Sequence, residues 1–328
     1  MQAYLKVVRP LNLFFIAVTQ LLLQYTVVVP ILKTYGFDTE VNTLRLFLLI
    51  AATVLIAAGG YALNDYFDIK IDRINRPDKQ IAGKIIQRSA LMIYHQALTA
   101  TGVLCGLLLA CFTGSFTLTF IFIVTPGMLW FYSASYKRRF LIGNLIVSFN
   151  TALSVLIVGI AQISALYGLY GDLLYQTPIP KTIYAWTGGF SFFAFMTTWI
   201  REIIKDMEDK KGDMEMECRT MAIVWGDGKT KKMLYFLITL TVVLLLLADF
   251  LWIDFEGNLT TRYIIFGIAL PFTALIYLVH QSRHSQSYHQ ASVLSKVIML
   301  IGTLYGFIFY YLQAKTYGFD LFNLFIIR

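Results

Sequence analysis

The sequence predicts an all-α membrane protein with nine transmembrane helices, and three observations carry that prediction. The first is composition. Of 328 residues, 58% are hydrophobic and 14% charged, with a mean hydropathy of +0.66; a soluble domain carries about 25% charged and 45–50% apolar residues. So few charges cannot cover the surface of a globular chain of this length. The same arithmetic excludes disorder and a collagen-like repeat. The second is a recurrence of apolar runs of the length a helix needs to cross hydrocarbon, about 20 residues. The third is the sidedness of the basic residues.

The runs fall at 11–31, 44–66, 90–112, 115–133, 142–166, 182–202, 233–253, 262–280 and 294–313. The first follows Lys6 and Arg9, as in a secretory leader. It is too long for a leader's apolar region and no small-residue cleavage site follows, so it is expected to be the first span. Only Thr113 and Gly114 separate the third and fourth runs, which predicts a tight turn. Nine spans put the termini on opposite sides of the membrane. Sorted that way, Lys33, Arg45, Lys181, Arg262, Lys315 and Arg328 share one side, and the other 21 of the 27 Lys and Arg share the side of the N-terminus. By the positive-inside rule that side is cytoplasmic. The net charge of +8 is therefore read as flanking charge facing membrane lipids, with no nucleic acid as partner. Residues 1–328 are expected to form a single intramembrane domain.

Three cysteines, Cys105, Cys111 and Cys218, lie far apart and offer neither a disulfide framework nor a metal-ligand spacing. His280 and His284 stand at helical i, i+4 spacing without an accompanying carboxylate, which reads as a solvated helix end.

The acids are scarcer and better organised. Asp65, Asp68 and Asp72 begin at the end of the second run; Asp206, Asp209 and Asp213 follow the sixth. Each aspartate of the first triplet recurs 141 residues later, four spans on and so on the same membrane face. At about 100° per residue, Asn64, Asp65, Asp68 and Asp72 share an arc of roughly 100°, and Glu202, Asp206, Asp209 and Asp213 one of roughly 60°. Like charges at these spacings repel, and anions at helix C-termini oppose the macrodipole. Something cationic must offset both. Clustered hard carboxylate oxygens suit Mg²⁺, which keeps waters and is completed by substrate phosphates. A phosphorylated or diphosphorylated lipid, its tail in the bilayer, is the expected ligand. Acids of a cation transporter belong nearer the bilayer midplane; these sit at one boundary.

The pattern Asn64-Asp65-x-x-Asp68-x-x-x-Asp72 with Asp206-x-x-Asp209-x-x-x-Asp213, on nine spans, resembles the UbiA-type intramembrane prenyltransferase superfamily. The resemblance implies nine helices around a central cavity with cytoplasmic Asp-rich capping loops. It also implies Mg²⁺-dependent transfer of a prenyl chain from a prenyl diphosphate to a lipid-soluble acceptor. Asp72-Arg73-Ile74-Asn75-Arg76-Pro77-Asp78-Lys79 and Arg201-Glu202-Ile203-Ile204-Lys205-Asp206 look most like the digeranylgeranylglyceryl phosphate synthases, which add a geranylgeranyl chain to geranylgeranylglyceryl phosphate. Aromatic-acceptor branches of quinone biosynthesis are the alternative, and Gln80-Ile81-Ala82-Gly83-Lys84 departs from the branch's usual continuation.

By that resemblance Asn64, Asp65, Asp68 and Asp72 hold one Mg²⁺ and the diphosphate. Asp206, Asp209 and Asp213 hold a second metal or order the capping loop. Asp65, Asp68, Asp72, Asp206 and Asp209 form the catalytic set. Tyr132 and Lys137 match a tyrosine-serine-lysine stretch in which the lysine meets diphosphate, or else Lys137 is a flanking charge. Arg76 and Lys79, and Arg201 and Lys205, are assigned to phosphate or to charge balance. Asn12 and Asn144 match polar cavity positions.

Overall fold

The computed structural model describes residues 2–37, 41–75, 80–322 and 324–326. The long helices are α1 (Pro10–Thr34), α2 (Thr43–Phe67), α3 (Arg88–Thr113), α4 (Phe116–Ala134), α5 (Ile142–Tyr170), α6 (Ile179–Glu208), α7 (Gly226–Trp252), α8 (Leu259–Gln281) and α9 (Ser285–Tyr317). Among the described residues, eight of these are long and apolar enough to cross a bilayer. The one outside that set is α6, 30 residues long, whose apolar stretch is broken by Thr, Ser and Gly and ends in the charged run Arg201–Glu208. Most helices outrun the sequence-expected spans, α6 reaching to Glu208 rather than 202. The expected turn after α3 is present: Gly114 takes the left-handed conformation (φ 62°) and the Ser115 hydroxyl accepts from the Leu118 N–H, opening α4.

Helices in hydrocarbon gain little from apolar burial, since lipid tails are as apolar as leucine; close packing holds them instead. α2 runs along α3, α5 along α6, and α6 along α9. At the α6–α9 contact a Cβ on Gly302 would lie 1.9 Å from the Phe193 ring, and at α2–α3 one on Gly102 would lie 2.9 Å from the Ile56 backbone nitrogen. Glycine is needed at both. Two large apolar cores result, beside a smaller one of Val7, Ala62, Ala82, Ile86 and Leu91. One joins α1, α2, α4, α5 and α6 through Val27, Leu49, Leu118, Val158 and Ile183; the other joins α6–α9 through Ile200, Leu237, Phe272 and Ile298. A short antiparallel pairing of Asp320–Leu321 with Phe325–Ile326 follows α9.

The segments expected as Asp-rich loops are helical in part. Ile69–Asn75, Lys210–Glu215 and Met221–Val224 are short helices. The reason is local: i, i+4 backbone bonds continue across each aspartate that ends the preceding long helix.

Candidate active site

The two acid triplets are built on the same local geometry. α2 ends at Phe67 and α6 at Glu208; Asp68 (φ −90°, ψ 3°) and Asp209 (φ −90°, ψ 4°) follow them. The Asp68 N–H donates to the Asn64 carbonyl (2.9 Å) and the Asp209 N–H to that of Lys205 (2.8 Å). Four residues on, the Asp72 N–H donates to the Asp68 carbonyl (2.8 Å) and the Asp213 N–H to that of Asp209 (3.2 Å). Each long helix thus bends at its middle aspartate into a short one, and the two short helices pack against each other. The repeat extends to the helices that precede them. Arg9 and Leu141, the N-caps of α1 and α5, both carry positive φ (54° and 64°), and Asn12 and Asn144 each lie three residues further on. Such a backbone in a non-glycine residue costs of order 1 kcal/mol or more and persists where its surroundings hold it.

One polar cleft lies between these ends, about 590 Å³ with its open mouth included. It is lined by Arg9, Asn64, Asp68, Ile71, Asp72, Tyr132, Lys137, Asn144, Glu202, Lys205, Asp206, Asp209 and Asp213. Ten of the sequence-selected residues therefore converge. Asp65 stands just behind, its Oδ1 accepting from Arg9 Nη2 at 3.0 Å, while the guanidinium lies over the Tyr61 ring (4.8 Å). Arg201 also stands behind, donating through Nη1 to Glu202 Oε1 at 2.6 Å. Asn12 is half-buried on α1, away from the lining. Arg76 and Lys79 lie outside the described residues. Arg9 and Glu202 are lining residues that the motif comparison passed over. Glu202 had a usable signal, being i−4 to Asp206 on the same arc. Arg9 had none, because its partner is 56 residues away.

The pairing within the cleft is specific. Asn64 Nδ2 donates to Asp68 Oδ2 (2.7 Å); Lys137 Nζ donates to Asn64 Oδ1 (3.3 Å) and pairs with Asp68. Asn144 Nδ2 donates to Asp206 Oδ2 (2.9 Å), and Lys205 stands 3.6 Å from Glu202 Oε2. The Arg219 N–H donates to the Arg138 carbonyl (2.8 Å), tying the second acidic segment to the α4–α5 connection that carries Lys137. Burial alone lowers the Lys137 pKa, but Asp68 and Tyr132 beside it outweigh burial and raise it, so Lys137 is a fixed cation. Burial, with Asp209 and Asp68 nearby, pushes the Asp213 carboxyl up to about 6 against the pull of Lys137.

The donor set suits a divalent cation. Six carboxylates and the Asn64 amide line the cleft with three cations, so an anionic substrate is repelled unless further positive charge enters. Among the described residues no three Asp, Glu, His or Cys side chains already converge on a single point. Arg9 and Lys137 draw Asp65 and Asp68 to themselves instead. Hard oxygens in excess, on elements that meet across a cleft, fit Mg²⁺ completed by substrate oxygens rather than a closed protein cage.

Residues 15–314 match the model of the UbiA prenyltransferase family. The chain belongs to that family, and it is a prenyltransferase embedded in the membrane. A digeranylgeranylglyceryl phosphate synthase from Methanopyrus kandleri is 32% identical, over 93% of this chain and 97% of that protein. A solved structure of a digeranylgeranylglyceryl phosphate synthase aligns with TM-score 0.60 and 24% identity, covering 95% of this chain and 98% of the other. A UbiA homolog from Archaeoglobus fulgidus, bound to DMAPP and Mg²⁺, aligns with TM-score 0.58 and 17% identity, over 94% of this chain and 99% of the other.

Proposed function

We propose that this prenyltransferase moves a geranylgeranyl group from its diphosphate, in the presence of Mg²⁺, to the free hydroxyl of a geranylgeranylglyceryl phosphate. The observation that carries this reading is the pair of geometrically matched aspartate-capped helix ends meeting across one cleft. It is supported by the likeness to the synthases and by a solved homolog that holds a prenyl diphosphate with Mg²⁺. In this reading residues 1–328 act as one domain, α6 is the ninth span, and the acidic end faces the cytoplasm, where the basic residues gather.

Asn64, Asp65, Asp68 and Asp72 from α2 and its short helix, with Asp206, Asp209 and Asp213 opposite, hold the metal. Mg²⁺, when bound, neutralises the oxygens of the departing pyrophosphate. Lys137, kept cationic by Asp68, adds a fixed charge beside the same oxygens, and Tyr132 closes the wall next to it. The allylic C–O bond breaks with its electron pair leaving on pyrophosphate. The acceptor oxygen bonds to the freed carbon, and its proton passes to a carboxylate of the cleft. Apolar helix faces below keep water from the prenyl cation.

The test is an acceptor panel with labelled geranylgeranyl diphosphate in membranes, comparing the glyceryl phosphate lipid with hydroxybenzoate, homogentisate and naphthoate acceptors, with and without EDTA. Label is expected in the glyceryl phosphate product alone, and only with Mg²⁺. Label in an aromatic acid but not in glyceryl phosphate overturns the assignment.

A further inference from the structure

The acids of the cleft wall are matched, on the flank where α6 meets α9, by a crowd of cations, of which Lys205 also lines the cleft. Arg201 and Lys205 share a single carboxylate, Glu202, at 2.6 and 3.6 Å. Lys296 reaches the same region from α9. Charged groups acting on it there include Arg201, Lys205 and Arg9, and the acid Glu208. Glu208 in turn bonds His289 at 2.9 Å. Among the described residues no oxygen lies within hydrogen-bond distance of the Lys296 ammonium. The flank therefore carries three cations around one closely paired carboxylate. Arg9 and Lys137, by contrast, each have an aspartate of their own.

Polar atoms without partners accompany this charge. Arg201 Nε is buried and makes no hydrogen bond, and the hydroxyl of Thr198 is likewise unpartnered on a residue only 4% exposed. Thr198 precedes Arg201 by three residues and Glu202 by four, so all three share a helix face. A buried donor with no acceptor is unfavourable, and crowded like charges add to that. A compact anion with several acceptor oxygens beside the cations relieves the crowding of like charge. A guanidinium and two ammonium groups suit a phosphate monoester, and no metal is required.

We infer that Arg201, Lys205 and Lys296 form a metal-independent site for the phosphate of the glyceryl phosphate acceptor, on the edge of the cleft that takes the diphosphate. The identity of the ligand rests on the function proposed above; the anion site itself does not. Two anions on one enzyme are thus sorted by the means of binding them, the diphosphate through carboxylates and metal, the monoester through direct cation contact.

The site is tested by binding, without turnover. Full-length protein in nanodiscs is titrated in EDTA with lysophosphatidic acid, a single-chain glyceryl phosphate, and separately with monoacylglycerol and inorganic phosphate. Wild-type protein is expected to bind lysophosphatidic acid in EDTA at least about tenfold more tightly than either control. Lys296→Ala, at an exposed position, and Arg201→Gln are each expected to weaken that binding about tenfold while Mg²⁺-dependent binding of geranylgeranyl diphosphate stays within about twofold. Arg201→Lys, which keeps the charge, is expected to recover part of the loss. Binding that needs Mg²⁺, equal binding of lysophosphatidic acid and monoacylglycerol, equal binding of inorganic phosphate, or an equal loss of donor affinity in the variants would each overturn the inference. Should the acceptor panel show no transfer to glyceryl phosphate while this metal-free binding persists, the proposed function fails and the anion site stands.

Discussion

The two aspartate-capped helix ends share a backbone and differ in company. At the α2 end, Asp65 and Asp68 are each paired with a cation brought from elsewhere in the chain, Arg9 and Lys137. At the α6 end, Asp206 is held by a neutral amide, Asn144, and Asp213 is buried enough for its carboxyl to rise to about 6. Equal spacing has therefore produced unequal electrostatics. The first end arrives nearly neutralised and carries a fixed cation toward the substrate. The second lines the cleft with Asp206, Asp209 and Asp213 where the first lines it with Asp68 and Asp72, and so supplies more of the oxygens for a metal ion. A duplicated motif need not be a duplicated function.

The comparison breaks most sharply at the middle aspartates. Asp68→Ala and Asp209→Ala are each expected to lower prenyl transfer by about a thousandfold or more, since both remove an oxygen ligand at a helix bend. Labelled transfer in membranes measures it; wild-type rates in either variant would sink the catalytic assignment. Of the two, Asp209→Ala is expected to raise the Mg²⁺ concentration for half-maximal rate further, because the second end contributes more of the aspartates that line the cleft.

Lys137 separates the ends by a different route. Lys137→Met strands the Asp68 carboxylate in a buried site and is expected to cost about 3 kcal/mol of stability, whereas Lys137→Met with Asp68→Asn regains most of that without regaining activity. Thermal unfolding in detergent, read beside transfer rates, distinguishes the pair's structural part from its catalytic part. Equal unfolding temperatures for wild type and the single variant would remove the buried pair from the account.

The smallest effect reports on the second end alone. Cys218 is buried beside Asp213, donating its N–H to the Asp213 carbonyl at 2.9 Å. Burial, with Asp213, pushes its thiol up to about 11. A raised thiol pKa means less thiolate at every pH below it. Alkylation at pH 8 is therefore expected to be about a hundredfold slower in the folded chain than after denaturation. Fast labelling of Cys218 by a maleimide would show that the second end is more open than its geometry indicates.

Much of this molecule is legible from its sequence because the relevant rules are local. Run length marks segments long and apolar enough to cross a bilayer, and i, i+3, i+7 spacing places Asp65, Asp68 and Asp72, and their repeats, on single helix faces. α6 shows the limit of run length, since its polar and charged residues keep it outside the apolar set although it is as long as its neighbours. The bends at Asp68 and Asp209 are not legible either; both acidic segments read as loops, yet their backbone bonding continues into short helices.

What the tertiary structure alone decided is which charge meets which. Arg9 finds Asp65 across 56 residues, Lys137 finds Asp68 across 69, and Asn144 finds Asp206 across 62. Lys296 comes to Arg201 only because α9 packs along α6. Helical periodicity orders side chains about one axis, whereas these encounters depend on how separate helices approach and how far each slides along its neighbour. A sequence states the first directly. The second is settled only when the helices have packed.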